Sequence, residues 1–216
     1  MTNKILEKIS EKYPLQEKDV GGFAKIKVRG TTFKIAAYYA EGLGHVSVMK
    51  SSAMFGLVKM DVLIINPIEI DMPIYSYERI ALSGANALFI ELYDTLLGEY
   101  NKEGMNIVKS AFAGIMENNV DRNWYGPTKL DCGISKRCNK GNNASLDTLS
   151  LSHFEAYFNA GKNVVPVSDR EMKQKKAYAC VNEVLNNGST AIEILKLKLN
   201  SFELEELYKD ILFGIK

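Results

Sequence analysis

The stretch DMPIYSYERIALSGANALFIELYDTLL, residues 71–97, contains two runs rich in β-branched and aromatic residues. These runs, PIYSYERI (73–80) and ALFIELYD (87–94), flank the turn sequence SGAN. Because so short a connection joins only antiparallel neighbours, the stretch predicts a β-hairpin. Glu78 lies in the body of its first strand, where a carboxylate needs a structural or chemical reason.

Similar short runs precede this hairpin and extend the predicted sheet. They are AKIKV (24–28), FKIAAYYA (33–40), HVSVM (45–49), AMFGLV (53–58) and DVLIIN (61–66). Their connections run to only about six residues, whereas a parallel crossover needs about a dozen or more. The region of about 22–96 therefore predicts a mainly antiparallel sheet of about six strands, with AMFGLV and DVLIIN either separate or continuous.

Helical spacing of apolar residues marks both ends of the chain. Residues 3–13 predict a helix that ends before Pro14, and the spacing returns over about 103–214. Capping boxes predict further helix starts at Ser168 with Glu171, Thr190 with Glu193, and Asn200 with Glu203. Residues 117–146 are polar and turn-rich, which predicts a long functional or mobile loop.

A sheet followed by several helices packs in layers. We therefore predict an α+β fold, a three-layer α/β/α sandwich whose helices cover both faces of the sheet. The length of 216 residues is compatible with one domain spanning 1–216.

The composition is that of an ordinary globular protein, with 46% hydrophobic and 25% charged residues. A net charge of +1 gives no bulk attraction to nucleic acid or membranes, so we expect neither as a partner, and any basic docking surface must be local. The N-terminal segment lacks the apolar core of a signal peptide, and no apolar run is long enough to span a bilayer. These features predict a cytoplasmic protein.

Several kinds of site find little support. Cys132 and Cys138 lack a second pair with the spacing of a zinc or iron–sulfur site, and Cys180 stands apart. The only histidines are His45 and His153, and no glycine-rich phosphate-binding loop occurs. We therefore expect no bound metal and no nucleotide cofactor.

Glu78 is the leading candidate for acid chemistry. In the predicted strand it shares a face with Ile74, Ser76 and Ile80, because side chains alternate between the two faces. Apolar surroundings favour the protonated form of a carboxyl group, which can then donate a proton. The alternative is a solvated or salt-bridged glutamate near the sheet edge.

Basic residues form clusters that can meet anionic groups. In the long loop, a set of aromatic and cationic residues either offers contacts to a planar, carboxylate-bearing ligand or consists of ordinary loop residues; the set is Trp124, Tyr125, Lys129, Lys136 and Arg137. The runs REMKQKK (170–176) and KLK (196–198) form either a docking patch for an acidic protein or a solvated helix face.

Several motifs occur together in a fixed order. The segment NPIEIDMPIYSYERI contains Pro67, then Asp71-Met72-Pro73, then Glu78 five residues after Pro73. It is followed by PVSDREMKQKKAY (166–178), NNGSTAIEIL (186–195) and LNSFELEELYKDILFG (199–214). Together these motifs resemble those of the ferredoxin-dependent bilin reductases and the related red chlorophyll catabolite reductases, over roughly residues 50–100 and 150–214.

The resemblance implies an α/β/α sandwich that reduces an open-chain, bilin-like tetrapyrrole. Reduced ferredoxin, or flavodoxin, would deliver single electrons directly to the bound pigment without a bound metal or flavin, and acidic side chains would supply protons. Carried onto this sequence, Glu78 takes the position of the proton donor and Asn187 that of a residue close to the tetrapyrrole. Val62 stands where some bilin reductases place a histidine.

Two other interpretations stay open. The same fold can hold haem, a bilin or another tetrapyrrole without chemistry, because Val62 replaces that histidine. It can also serve only as an interaction or structural module, which predicts no tetrapyrrole binding and a filled space above Glu78.

Overall fold

A computed structural model describes residues 1–119, 128–161, 165–187 and 189–215; Trp124 and Tyr125 lie outside these ranges. The strands are β1 (Leu15–Lys18), β2 (Lys25–Val28), β3 (Thr31–Ala40), β4 (Gly44–Ala53), β5 (Val58–Asn66), β6 (Ile74–Ala81), β7 (Ala85–Tyr93) and β8 (Ile134–Asn139). The helices are α1 (Thr2–Ser10), α2 (Glu103–Ala111), α3 (Asn143–Ala160), α4 (Arg170–Asn187), α5 (Thr190–Leu195) and α6 (Ser201–Glu206). A π-helical segment, Leu207–Leu212, follows α6.

The described strands form an eight-stranded sheet whose pairings are all antiparallel. Their order is β1-β3-β4-β5-β6-β7-β8, and β2 pairs with the start of β3 while β1 pairs with its end. The α+β class and the antiparallel sheet are thus confirmed, with eight strands in place of about six.

The predicted strands do not include the edge strands β1 and β8. Their sequences, LQEK and ISKRCN, are short and largely polar, so they lack the apolar pattern of a strand. β8 lies inside the range 117–146 that was assigned to a loop and inside the region assigned to helices, so that part of the prediction was wrong. Both strands form because a neighbouring strand offers its free hydrogen-bonding edge.

The run AMFGLV, residues 53–58, is not one strand, since only Ala53 and Val58 belong to strands. Met54–Gly56 form a 3-10 turn that reverses the chain between β4 and β5, so that Ala53 pairs with Val58. Met54 and Phe55 are exposed at this turn. Apolar composition alone therefore gave a wrong prediction for Met54–Gly56, and of this run only Val58 is continuous with DVLIIN in β5.

Helices cover both faces of the sheet. On one face, α1, α2 and α3 contribute to a core that includes Ile5 and Phe154. On the other, α4, α5, α6 and the π-helical segment contribute to a core that includes Val181 and Leu207. The predicted three-layer sandwich is therefore confirmed. No helix within the described ranges combines the length and apolar character needed to cross a membrane.

The helix starts follow the predicted capping chemistry closely. Asn200 and Glu203 form the predicted box at α6, each side chain accepting a hydrogen bond of 2.9 Å from the backbone amide of the other. Ser189 caps α5, and Asp169 accepts a hydrogen bond from the first turn of α4. Each of these two lies one residue away from the predicted cap, because several neighbouring residues there have suitable side chains.

The loop between β5 and β6 anchors α4 to the sheet. The carboxylate of Asp71 pairs with the buried ammonium of Lys173 at 3.1 Å and accepts hydrogen bonds from the amides of Leu97 and Gly98. Burial alone raises the pKa of Asp71, but these hydrogen bonds and Lys173 outweigh it and hold that pKa below its usual value. Because Lys173 also donates to the Met72 carbonyl at 2.6 Å, the Asp-Met-Pro motif acts here as a structural clamp.

Sheet side chains also hold the π-helical segment. His45, Ser47 and Asn66, all buried, hydrogen-bond to the carbonyl oxygens of residues 211–213 at 2.6–2.9 Å. Carbonyls at the end of a helix have no partner further along the chain, so these contacts satisfy them. Burial lowers the pKa of His45 to about 4, so the ring is neutral at neutral pH.

Candidate functional site

Alternation along β6 places Glu78 on the face covered by α4, α5 and α6. Ile74 lies four positions before Glu78 and so on the same face of β6, and it belongs to the core beneath α4, α5 and α6. Tyr75 and Tyr77 belong to the core beneath α1, α2 and α3. Glu78 therefore lies on the face that its position in the strand predicts.

On this face, the side chains of β6, β7 and β8 are incompletely covered. We name as the open strip the residues Ser76, Glu78, Ile80, Ala87, Glu91, Ser135 and Arg137. Arg137 is exposed and the others are partly buried, whereas Leu88 and Ile134 on the opposite face of the same strands are buried. The open strip is thus a partly solvated row of carboxylates, hydroxyls and small apolar groups, the kind of surface on which a ligand can be oriented.

Glu78 has apolar neighbours within the sheet. Its cross-strand partners are Val62 of β5 and Phe89 of β7, and both are buried. From the helical layer, Tyr208 lies close enough to interact with its charge. Burial raises the pKa of Tyr208, a hydrogen bond with Ser189 lowers it, and the charge of Glu78 raises it further. The carboxyl group of Glu78 is thus flanked by apolar side chains and has a phenol nearby.

The open strip carries a second carboxylate, Glu91, that was not among the predicted site residues. Glu91 pairs with Ser76 and is therefore a diagonal neighbour of Glu78 on the same face. It accepts hydrogen bonds of 2.7 Å from the Lys129 ammonium and the Tyr93 hydroxyl. The sequence did contain a signal, since Glu91, like Glu78, interrupts an apolar strand run.

The adjacent residues Lys136 and Arg137 point to opposite faces of β8. Lys136 is buried on the side of α2 and α3, where its ammonium donates to the Ile115 carbonyl at 3.0 Å and pairs with Glu117. The sheet lies between its ammonium and Glu78, so Lys136 and Arg137 face opposite layers, and a ligand contact by either residue stays a prediction. Arg137 lies on the open strip.

Asn187 is the last residue of α4, in the helical layer that faces Glu78. Its side chain is exposed, and its amide donates to the Glu183 carbonyl at 2.9 Å. Ser189, two residues on, contacts Tyr208. Asn187 thus lies on the same side of the sheet as Glu78, and its contact with a ligand stays a prediction.

The basic run of residues 170–176 forms the first part of α4. Lys173 is fully buried in the ion pair described above, so it takes no part in a docking surface, and its inclusion in the predicted patch was wrong. Arg170, Lys175 and Lys176 are exposed. Helical periodicity explains the difference, because one residue in each turn of a packed helix faces the core.

Within the described ranges, no three or more side chains of histidine, cysteine, aspartate or glutamate gather closely enough to hold a metal ion. Cys132, Cys138 and Cys180 are buried free thiols, and burial raises the pKa of each.

No protein-family model and no curated protein matches this chain. Among solved structures, it is similar to the crystal structure of phytochromobilin synthase from tomato in complex with biliverdin. The match covers 99% of this chain and 81% of that chain, with a TM-score of 0.78 and 11% sequence identity. At this identity the likeness shows a shared fold, and it confirms the fold that the motif resemblance implies.

Proposed function

We propose that the protein binds an open-chain tetrapyrrole against the open strip and reduces it with electrons from ferredoxin or flavodoxin. The observation that carries this proposal is the setting of Glu78, a partly buried carboxyl group between Val62 and Phe89 on the face of the sheet. The sheet belongs to a fold shared with a protein whose crystal structure holds biliverdin.

The chemistry assigned to the chain itself is proton delivery. Reduction of one double bond of the pigment consumes two electrons and two protons; the electrons arrive singly from the reduced protein partner. Glu78, between Val62 and Phe89 on this face, is the proposed donor of one proton, and solvent at the partly solvated open strip supplies the other. Glu91, hydrogen-bonded by Lys129 and Tyr93, is suited to orienting the polar edge of the pigment.

Arg137 and Asn187 are the proposed contacts for the outer parts of the pigment. Arg137 is an exposed cation at one end of the open strip, where it can meet a propionate. Asn187 approaches from the helical layer at the end of α4. Lys136 has no part in this arrangement, because it lies on the other face of the sheet.

The electron donor is proposed to dock on α4. Arg170, Lys175 and Lys176 are exposed there, and ferredoxins are acidic proteins, so the charges are complementary. A local basic surface of this kind is compatible with a net charge of only +1.

A second candidate is a tetrapyrrole-binding protein without catalysis. It is favoured by Val62, which pairs directly with Glu78 and puts an apolar side chain where some relatives of this fold carry a histidine. In that case Glu78 would only orient the ligand.

The test is an anaerobic absorbance titration with biliverdin, followed by reduced ferredoxin. A shifted bilin band that bleaches or moves when ferredoxin is added supports the reductase proposal. Binding without change after the reductant supports the non-catalytic candidate. If biliverdin and haem both fail to bind, both candidates are wrong and the interaction-module interpretation is favoured.

A further inference from the structure

One end of the sheet carries exposed apolar side chains. The β2–β3 turn and the Met54–Gly56 turn lie side by side there, since Thr32 pairs with Ser52. Met54, Phe55 and Leu57 project into solvent at the second turn. Adjacent large apolar side chains at a projecting tip are unusual on a soluble surface and mark an interaction site.

The backbone of this tip is strained. Met54 and Phe55 have φ values of 49° and 54°, in the left-handed region, and Gly56 follows at 87°. Asparagine or glycine normally fills such turn positions, and bulky residues there are outliers. Neither Met54 nor Phe55 gains core burial in exchange, so folding alone does not account for these residues.

Behind the tip, lysines line one face of the sheet. From the strand register these are Lys25, Lys27, Lys34, Lys50 and Lys59. Lys34 pairs with both Lys25 and Lys50, and directly opposed like charges destabilise a sheet. Asp61 beside Lys50 offsets part of this repulsion, and Lys50 also donates to the Asn3 side chain at 2.8 Å.

A groove of about 740 Å³ joins the tip to this lysine face. Its lining includes the cationic residues Arg29 and Lys59, the hydroxyl-bearing residues Thr32 and Ser52, and Phe55. Hydroxyl and cationic donors beside an apolar projection suit a phosphate attached to an apolar chain.

We propose that this end of the sheet docks on an anionic lipid bilayer. Met54, Phe55 and Leu57 insert among the headgroups, while Arg29 and the lysine face contact lipid phosphates. A bilayer has no preformed pocket, and a projecting apolar tip can insert into it without one. A protein partner, in contrast, would have to offer a pocket that is complementary to the tip. Nucleic acid would use the lysines but leaves the apolar tip without a purpose. This proposal differs from the expectation of no membrane partner, which was drawn from the net charge and stays a prediction that the vesicle test decides.

The first test is cosedimentation of the full chain with phosphatidylcholine vesicles, with and without phosphatidylserine. We expect binding only when phosphatidylserine is present. Raising the salt concentration from about 0.1 M to about 1 M should weaken binding strongly, because the Debye length falls from about 10 Å to about 3 Å. The assay needs neither pigment nor electron donor, so its result is independent of the proposed reductase activity.

Two sets of variants separate the tip from the charges. Phe55→Asn with Leu57→Ser should lower vesicle binding at least tenfold, and asparagine suits the backbone at position 55, so folding is preserved. Lys25→Gln, Lys27→Gln and Lys34→Gln together should lower it roughly a hundredfold. Phe202→Ser, which removes an exposed apolar residue of α6, is the matched control and should leave binding unchanged.

The proposal is wrong if the wild-type protein stays in solution with anionic vesicles. It is equally wrong if the tip variant binds like the wild type, or if Phe202→Ser causes the same loss. Binding of DNA or of an acidic protein to the lysine face, with vesicles failing to compete, would assign the surface to that other partner.

Discussion

Strands β6, β7 and β8 have two unlike faces. Towards α2 and α3, Tyr75, Leu88 and Ile134 are fully or almost fully buried. Towards α4 and α5, the same strands present the open strip, where Glu78 and Glu91 remain partly solvated. The comparison shows that one set of strands serves stability on one side and leaves room for chemistry on the other, because alternation assigns independent side chains to each face.

The largest expected effect concerns the buried face of β6, β7 and β8 towards α2 and α3, which we call the closed face. Tyr75 is fully buried, with its ring centroid 4.6 Å from that of Tyr157. Tyr75→Ala should therefore lower the free energy of unfolding by about 3–5 kcal/mol in urea denaturation. Ile80→Ala, on the open strip, should cost only about 1 kcal/mol because its side chain is partly solvated already. Equal losses for the two variants would remove the distinction between the faces.

The pH dependence of stability tests burial on both sides of the sheet. Burial lowers the pKa of His45 on one face and of His153 on the other from 6.5 to about 4. Between these values the unfolded chain binds protons that the folded chain does not, so stability falls as the pH decreases and is unaffected above that window. Each histidine should account for about 3 kcal/mol of the decrease in the free energy of unfolding across this window.

Urea denaturation between pH 7 and pH 4.5 measures this effect. His153→Asn and His45→Gln should each reduce the slope of the free energy of unfolding against pH by about half, because each removes one of the two titrating rings. A free energy of unfolding that does not change over this range would show that the rings are accessible to protons in the folded state.

The next effect concerns the open strip. Glu78→Gln should lower the rate of ferredoxin-driven biliverdin reduction about a hundredfold, the usual scale for a lost general acid, while biliverdin affinity stays within about threefold. Glu155→Gln, on α3 behind the closed face, is the control and should leave both unchanged. Turnover that survives Glu78→Gln would exclude Glu78 as the proton donor.

The smallest effect concerns the helical layer over the open strip. Arg170→Glu with Lys175→Glu should slow reduction by ferredoxin about tenfold at low salt, and the difference should shrink at high salt. Lys173 is left unchanged because its loss would break the ion pair with Asp71. Lys4→Glu, on the opposite layer, should have no effect; a rate that is equally reduced by this control would point to net charge rather than docking.

Much of the fold could be predicted because local patterns agree with it. The alternation in β6 placed Glu78 on its face, and Asn200 with Glu203 formed the expected cap. The wrong predictions concern residues for which strand pairing or side-chain packing outweighs the local sequence pattern. β8 has a polar sequence but gains a partner in β7, and Met54–Gly56 of the apolar AMFGLV form a turn. Lys173 was predicted to be a surface charge, but it is buried in an ion pair with Asp71, which is distant in the sequence.

The sequence by itself determined the class of fold, the antiparallel hairpins and Glu78 as a strand carboxylate, because side-chain periodicity and turn chemistry are local. Tertiary structure alone decided which charges meet. It buried Lys173 and Lys136, gave Glu91 its partner Lys129, and left the open strip only partly covered. The physical reason is that burial and ion pairing depend on residues distant in the chain, whose approach no local pattern encodes.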